Sequence, residues 1–237
     1  VRACIISGGI GYIGSHVMWH LRHLFDVLVV IDDLRGSVIS KLELPELLLI
    51  QTDICDRSLP DFMAKKLLEL GVESSVFLHL AADSSVPICN ERPEHSYFNN
   101  LVGTINALSI AEKCAVGHFV FASSASVYKE VGLERFSENS QLGGVSAYGR
   151  TKLACEFLLE DWSNKSRIKT TVFRFFNVAG ASSQHKVGEL RENDDHLLPQ
   201  IFSAIQMQKP FFIYGDDFET RDGTCIRDYI HVDDVAD

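Results

Sequence analysis

The sequence predicts an α/β fold, with a doubly wound parallel sheet covered by helices and then the beginning of a smaller C-terminal region. Through residue 176, short β-branched runs alternate with longer segments of helical apolar spacing. Parallel strands need a crossover connection, so this alternation is typical of a parallel sheet between helices. Residues 178–195 are polar and irregular, which ends the alternation. We therefore predict one domain at residues 1–176 and part of a second at 177–237.

The predicted elements follow one another in a regular order. Strands are predicted at residues 3–7, 27–32, 46–51, 75–81, 117–123 and 169–175. Helices are predicted around residues 12–24, 60–70, 97–114 and 147–163. In the second region, "HLLPQIFSAIQ" predicts a helix, "FFIYG" a short strand and "HVDDVAD" a helix just beginning. That last stretch, and Val rather than Met at position 1, lead us to expect that the chain is part of a longer protein.

Composition excludes several functional classes. The 237 residues are 46% hydrophobic and carry a formal net charge of -10, with the basic residues scattered. An acidic chain without a basic cluster repels polyanions, so nucleic acid is not an expected partner. The six cysteines form no CxxC pattern, which favours reduced thiols in the cytoplasm over disulfides or a metal site. No apolar run approaches the ~20 residues of a membrane span, so no membrane association is expected.

A glycine-rich turn follows the first predicted strand. In "SGGIGYIGSH", Gly8, Gly11 and Gly14 stand three residues apart directly before a predicted helix. Glycine allows a positive φ and has no side chain, so backbone N–H groups and the helix N-terminus can approach a pyrophosphate. Asp32 closes the second strand, where a carboxylate can bind an adenosine ribose. The pattern predicts a Rossmann-type NAD site, and the nearby Arg35 leaves NADP as an alternative.

A second motif, "SAYGRTK", places Tyr148 and Lys152 four residues apart near the start of a predicted helix. This spacing puts both side chains on one side of the helix. The preceding strand leads into "ASSASVY", and the strand ends of a doubly wound sheet face the cofactor crevice. We therefore expect Ser123, Ser124 and Ser126 in that crevice.

The Tyr148 and Lys152 pair suits proton transfer. The pKa of free tyrosine is ~10, and each unit of change needs only ~1.4 kcal/mol. Lys152 and a nicotinamide cation together are expected to lower the pKa of Tyr148 by roughly three units, which requires ~4 kcal/mol. The tyrosine then acts as a general base near neutral pH, and a serine hydroxyl can share the proton. The alternative is an exposed pair without a chemical role.

These motifs resemble the extended short-chain dehydrogenase/reductase family. "HLAADSSV", "FNNLVGT", "RFFNVAGA" and "GDDFETRDGTCIRDYIHVDDVAD" are similar to the UDP-glucose 4-epimerases of that family, over essentially the whole chain. The resemblance implies a tightly held NAD that takes hydride from C4 of a UDP-hexose and a 4-keto sugar that turns over in the site. Return of the hydride to the other face then interconverts UDP-glucose and UDP-galactose without net redox change.

The resemblance also implies roles for individual residues. Tyr148 is the base, Lys152 its electrostatic helper and ribose ligand, and Ser124 the hydroxyl that binds the C4 oxygen. The implied cofactor-binding residues are Gly8, Gly11, Tyr12, Ile13, Gly14, Asp32, Asp53, Ile54, Leu80, Ala81, Ala82, Asn99, Ser123, Tyr148, Lys152 and Phe175. The implied substrate-binding residues are Ser124, Tyr148, Asn177, His196, Leu197, Phe212, Tyr214 and Arg227.

Some of these residues have other interpretations. The fork of Arg227 matches phosphate oxygens, whereas Phe212 and Tyr214 are equally consistent with core packing. His79, at a strand end, is best read as a core histidine with its hydrogen bonds satisfied.

The chain departs from the family pattern at three positions. Ser84 stands where many members have lysine, Lys129 follows "VY" where glycine is usual, and Phe175 replaces a tyrosine. Phe175 removes a hydroxyl near the nicotinamide, but neither it nor Lys129 touches the proton-transfer pair. The family's C-terminal segment, which completes the sugar pocket, is missing from the sequence, so we expect NAD binding with poor turnover.

Alternatives of two kinds stay open. A nucleotide-sugar 4,6-dehydratase needs a further acid and base after the catalytic serine, where Ala125 and Ser126 stand, and is disfavoured. Epimerases of UDP-glucuronate, UDP-pentoses or UDP-N-acetylhexosamines share the C4 chemistry, and a non-catalytic NAD-binding fragment is the alternative of another class. The resemblance also implies a homodimer through the segments 97–114 and 147–163.

Overall fold

A computed structural model of the chain describes residues 1–35, 47–129, 135–182, 187–189 and 196–237. Its centre is a six-stranded sheet in the order β3-β2-β1-β4-β5-β6, and every neighbouring pair is parallel. The strands are β1 (Arg2–Ser7), β2 (Val27–Asp32), β3 (Leu47–Gln51), β4 (Ser74–His79), β5 (His118–Ser124) and β6 (Lys169–Phe175). The order reverses between β1 and β4, and this switch point is where open α/β sheets bind ligands. The predicted fold class is confirmed.

Helices cover both faces of the sheet. They are α1 (Tyr12–Leu21), α2 (Leu59–Glu69), α3 (Val86–Glu91), α4 (Pro93–Tyr97), α5 (Gly103–Lys113), α6 (Ala147–Ser163), α7 (Leu197–Met207) and α8 (Val232–Ala236). A π-helical turn at Phe98–Val102 precedes α5, and a 3₁₀ turn at Ala125–Val127 follows β5. No helix in the described ranges combines the length and apolar character needed to cross a membrane.

The core forms two layers because successive strand residues point to opposite faces. On β1, Ile5 belongs to the layer beneath α2, α5 and α6, which also contains Phe77 and Phe119. Cys4 and Ile6 belong to the other layer, packed beneath α1. The sheet is therefore buried on both sides, as expected for parallel strands with apolar runs.

The C-terminal region differs from its predicted structure. The segment "FFIYG", predicted as a strand, has no regular structure and its side chains are exposed. A strand pattern needs a partner strand to take up its backbone hydrogen bonds, and the described residues offer none at 211–215. The second sheet consists instead of β7 (Asn177–Ala179) and β8 (Tyr229–His231), in parallel. The helix predicted at the C-terminus is α8, and its Ala236 packs into the core layer beneath α1.

Candidate active site

The glycine turn between β1 and α1 is tightly packed. Gly8 has a φ of +73°, and a Cβ there would lie 2.7 Å from the backbone nitrogen of Ala81. A Cβ on Gly14 would lie 2.3 Å from the carbonyl oxygen of Gly8. Only glycine fits either position, so the turn packs closely against the backbone that follows β4 and against the start of α1. Because the first N–H groups of a helix have no intrahelical acceptor, this turn suits a pyrophosphate.

Asp32 and Arg35 lie beside the glycine turn. The Asp32 carboxylate accepts hydrogen bonds from the backbone N–H of Ile10 at 3.0 Å and of Leu34 at 2.8 Å. The Arg35 guanidinium is held by two other carboxylates, through Nε to Asp33 at 2.6 Å and through Nη2 to Asp53 at 3.2 Å. The charge of Arg35 is thus paired with neighbouring acids, while the Asp32 carboxylate lies beside the glycine turn and accepts from the two backbone N–H groups named above. This distribution fits NAD better than NADP.

Ser124, Tyr148 and Lys152 meet at the carboxyl end of β5. The side chains of Ser124 and Tyr148 lie close enough to interact, and Ser124 Oγ accepts from the Ser126 N–H at 3.1 Å. Lys152 Nζ donates to the carbonyl oxygen of Ala122 at 2.7 Å. Ser146 Oγ caps the helix by accepting from the Gly149 N–H at 3.0 Å. The cap fixes the first turn of α6, which carries the tyrosine.

Burial sets the proton affinities of this pair. It raises the pKa of Tyr148 to about 12, and the hydrogen bond from Ser124 opposes that rise. It lowers the pKa of Lys152 to about 8. The lowered tyrosine pKa expected from the sequence depends on Lys152 and the nicotinamide cation together, so it stays a prediction. The second cation in that expectation was the nicotinamide, which belongs to the cofactor.

The other predicted cofactor residues lie along the same sheet edge. Leu80 to Ala82 directly follow β4, and the Leu80 N–H donates to the carbonyl oxygen of Ser7 at 3.0 Å. Asn99 is buried within the π-helical turn. Asp53 Oδ1 accepts from the Cys55 N–H at 2.8 Å. The remaining members stand in the first turn of α1, after β3 and at the end of β6, and they are Tyr12, Ile13, Ile54 and Phe175.

Ser123 lies differently from the prediction. Its hydroxyl donates to the Glu156 carboxylate on α6 and is nearly inaccessible to solvent. Ser123 and Ser124 are adjacent in a strand, so their side chains point to opposite faces. The expectation that both hydroxyls enter the crevice is therefore wrong, and only the backbone of Ser123 remains available to a cofactor.

The predicted substrate residues lie in the C-terminal region. Asn177 Nδ2 donates to the carbonyl oxygen of Asp228 at 3.0 Å, which brings the neighbouring Arg227 close to β7. His196 pairs with Glu189 at 2.7 Å, directly before Leu197 opens α7. Phe212 and Tyr214 are exposed, with 66% and 91% of their surfaces accessible, so the core-packing alternative is wrong.

A buried polar network beneath the site includes residues that the motifs did not indicate. Asn100 Nδ2 donates to Thr151 Oγ1 at 2.9 Å, and Thr151 Oγ1 donates to the carbonyl oxygen of Tyr148 at 2.7 Å. The Asn100 side chain also binds the backbone N–H and carbonyl of Asp83. Asn100 thus joins the loop after β4 to the catalytic helix. The one available signal was a second amide in "FNNLVGT", which sequence alone does not distinguish from Asn99.

His79 satisfies its hydrogen bonds in the core, as predicted. Its ring nitrogens lie 2.6 Å from Ser7 Oγ and 3.1 Å from Thr104 Oγ1. Burial lowers the pKa of His79 to about 3, so the ring stays neutral at physiological pH.

The doubly wound parallel sheet, with a glycine turn at its switch point, is typical of enzymes that bind a dinucleotide. The chain belongs to the NAD dependent epimerase/dehydratase family, whose sequence profile matches residues 4–237. It is 36% identical to the UDP-glucose 4-epimerase of Lactobacillus helveticus over 98% of this chain and 69% of that protein.

Two solved structures share the fold over nearly the whole chain. A UDP-glucose-4-epimerase from Stenotrophomonas maltophila, with bound NAD and formylated UDP-arabinopyranose, superposes with a TM-score of 0.88 at 33% identity, over 99% of this chain and 71% of that one. A UDP-glucose 4-epimerase from Brucella ovis in complex with NAD gives a TM-score of 0.88 at 30% identity, over 100% of this chain and 71% of that one.

Proposed function

We propose that this protein is a UDP-glucose 4-epimerase that interconverts UDP-glucose and UDP-galactose, with NAD as its cofactor. The observation that carries the proposal is the Ser124 and Tyr148 pair at the carboxyl end of β5, with Lys152 one helical turn along α6. This pair stands at the same sheet edge as the glycine turn. The L. helveticus relative, whose name states this activity, supports it.

The residues around the switch point fit NAD. The glycine turn and the N-terminus of α1 would hold the pyrophosphate, Asp32 the adenosine ribose and Lys152 the nicotinamide ribose. Bound NAD would accept a hydride from C4 of the sugar and return it. The protein's own contribution is to bind and orient the sugar and to move one proton at the C4 oxygen.

Tyr148 is the group that moves this proton. Its side chain lies beside that of Ser124, so a sugar hydroxyl that enters there meets both hydroxyl groups. Burial raises the tyrosine pKa to about 12, and a positive charge brought next to the phenol by the cofactor would lower it.

Dehydration is a poor fit to the loop after Ser124. A 4,6-dehydratase needs an additional acid and base to remove water. Here Ala125 and Ser126 form the 3₁₀ turn after β5, and neither supplies a carboxyl group. The oxidised sugar would therefore be reduced again in place.

The test is to incubate the purified protein with NAD and each of a panel of UDP-sugars, and to chromatograph the products. UDP-glucose and UDP-galactose should interconvert. The panel includes UDP-arabinose, UDP-glucuronate and UDP-N-acetylglucosamine, because the S. maltophila structure holds a modified UDP-pentose. If only one of these other UDP-sugars were converted, it would be the substrate in place of UDP-glucose. A 4-keto-6-deoxy sugar as the main product would refute epimerisation.

We further propose that the chain forms two domains with different binding roles. Residues 1–176 would form the NAD-binding domain, and residues 177–237 would form part of the nucleotide-sugar site with Asn177 and Arg227 at the phosphates. The change from the central sheet to the β7 and β8 pair at residue 177 supports this boundary.

We also propose a homodimer, formed through α5 and α6. Apolar side chains on these helices support it, since Ile105 is 47% exposed and Phe157 55% exposed. Light scattering on the purified protein, with Phe157→Glu as the disruptive variant, tests the assignment.

A reducing compartment such as the cytoplasm is the proposed location, because all six cysteines are free thiols.

A further inference from the structure

One face of α1 contacts the C-terminal part of the chain at every turn. Tyr12, His16 and His20 follow one another at intervals of four residues, so their side chains line one side of the helix. Each makes a polar contact with the region beyond residue 176. The same helix begins at the glycine turn. It therefore joins the proposed dinucleotide site to the proposed nucleotide-sugar region.

His16 is the buried centre of this face, with none of its surface accessible. Its Nδ1 lies 2.8 Å from the carbonyl oxygen of Tyr12, which can only accept, so Nδ1 carries the proton. Its Nε2 is then an acceptor, and the Ser182 N–H donates to it at 3.3 Å. Both ring nitrogens are used in one tautomer. The histidine thus ties a backbone amide of the C-terminal region to the first turn of α1.

Tyr12 makes the neighbouring contact. Its hydroxyl donates to the carbonyl oxygen of Gly180 at 2.7 Å. Gly180 has a φ of +102°, and a Cβ there would lie 2.3 Å from Nε2 of His231. The close fit against β8 therefore requires glycine and directs this carbonyl to Tyr12. At the far end of α1, His20 Nδ1 pairs with Asp237 at 2.6 Å.

The segment 177–182 that these contacts hold begins with Asn177, the proposed diphosphate ligand. We propose that His16 and Tyr12 are positioning residues, which hold this segment against the glycine turn and so keep the nucleotide-sugar site in register with the cofactor. The identity of the ligand rests on the function proposed above. Neither side chain needs to touch the sugar for this role.

The experiment compares His16→Leu and Tyr12→Phe with the unaltered protein. The rate of hydrogen exchange in peptides covering 177–182 measures how firmly the two side chains hold this segment. Calorimetry with UDP measures the effect on the Kd. Loss of one buried hydrogen bond should raise the Kd for UDP by about two- to tenfold, with faster exchange in the same peptides. His16→Gln, whose amide oxygen can accept from Ser182, should recover part of both effects. NAD content and the melting temperature are recorded for every variant.

His118 offers the matched control. It is a half-buried histidine at the opposite end of the sheet, hydrogen-bonded to Thr171 at 2.8 Å, so His118→Leu should change neither readout. Unaltered UDP affinity in Tyr12→Phe and in folded His16→Leu would overturn the proposal, as would a wild-type protein that does not bind UDP. A wild-type protein that binds UDP but converts no sugar would refute the epimerase function, and the two readouts would still decide the positioning role.

Discussion

The ammonium group of Lys152 donates to the carbonyl oxygen of Ala122 at 2.7 Å and lies 4.8 Å from the centre of the Phe121 ring. Only 3% of the residue is accessible to solvent. One carbonyl and one ring face replace little of the hydration of an ammonium ion, so burial lowers its pKa to about 8. The folded protein therefore holds this charge at a cost in stability.

Lys152→Met should stabilise the fold while it impairs turnover. The unfolded chain keeps the lysine proton up to the ordinary pKa of 10.5, whereas the folded chain loses it near pH 8. The unfolded state binds more protons between these values, so wild-type stability rises with pH across that window. Below pH 8 the variant should have a free energy of unfolding higher by roughly 1–3 kcal/mol, after allowance for the lost hydrogen bond.

Urea denaturation of NAD-free protein at pH 7 and pH 10 measures this difference, which should be smaller at pH 10. NAD is removed because a ligand of the folded state adds its own stabilisation. Lys65→Met is the control, since the Lys65 side chain on α2 is 78% exposed. A Lys152→Met protein less stable than wild type at pH 7 would contradict our account of the buried ammonium.

Tyr148→Phe should keep the fold and most NAD affinity, because it removes a single hydroxyl. Turnover should fall by about 10²–10⁴-fold, the usual contribution of a general base. Ser124→Ala should cause a smaller loss, since the tyrosine remains. Single-turnover kinetics with UDP-galactose measures both, and Tyr97→Phe on α4 is the matched control. Near-normal turnover of Tyr148→Phe would show that "SAYGRTK" has a structural role only.

The sequence predicted α6 at its observed bounds because both of its determinants are local. Its buried residues Ala147, Thr151, Cys155 and Leu159 recur every four positions, and Ser146 caps its first turn. The π-helical turn at Phe98–Val102 was not predicted, since it coincides with the tertiary hydrogen bonds of Asn100 to Asp83 and Thr151. Such contacts join distant parts of the chain and leave no periodic signal.

The motifs identified the residues of the candidate site, but they did not predict how deeply these residues are buried or which hydrogen bonds they make. Strand alternation, applied strictly, would have assigned only one of Ser123 and Ser124 to the crevice. The raised pKa of Tyr148 follows from how much protein surrounds the phenol, which spacing does not show. The sequence also did not predict that two backbone N–H groups donate hydrogen bonds to the Asp32 carboxylate.

Arg174 on β6 and Glu156 on α6 form an ion pair that joins the helix to the sheet, with 20% and 9% of their side chains exposed. The guanidinium contacts both carboxylate oxygens, at 3.1 Å from Nε and 2.7 Å from Nη2. Without Arg174 the Glu156 carboxylate keeps the Ser123 hydroxyl but loses its countercharge, so Arg174→Met should cost about 1–3 kcal/mol of stability. The double variant with Glu156→Leu should recover much of that loss. Urea denaturation of all four proteins gives the coupling, and additive effects would show that the pair is not coupled.

Asp32→Asn tests cofactor choice with a smaller change to the turn than a charge reversal, because one of the two backbone hydrogen bonds is kept. The carboxylate accepts from the N–H groups of Ile10 and Leu34, so a charge reversal to lysine would disrupt the backbone as well as the ribose contact. Asparagine keeps one acceptor oxygen and loses the charge that repels a 2′-phosphate. The affinity for NAD should fall by about tenfold, the equivalent of ~1.4 kcal/mol, and the preference for NAD over NADP should narrow. Titration of NAD-free protein with each dinucleotide measures both affinities, and wild-type preference for NADP would show that Asp32 does not select the cofactor.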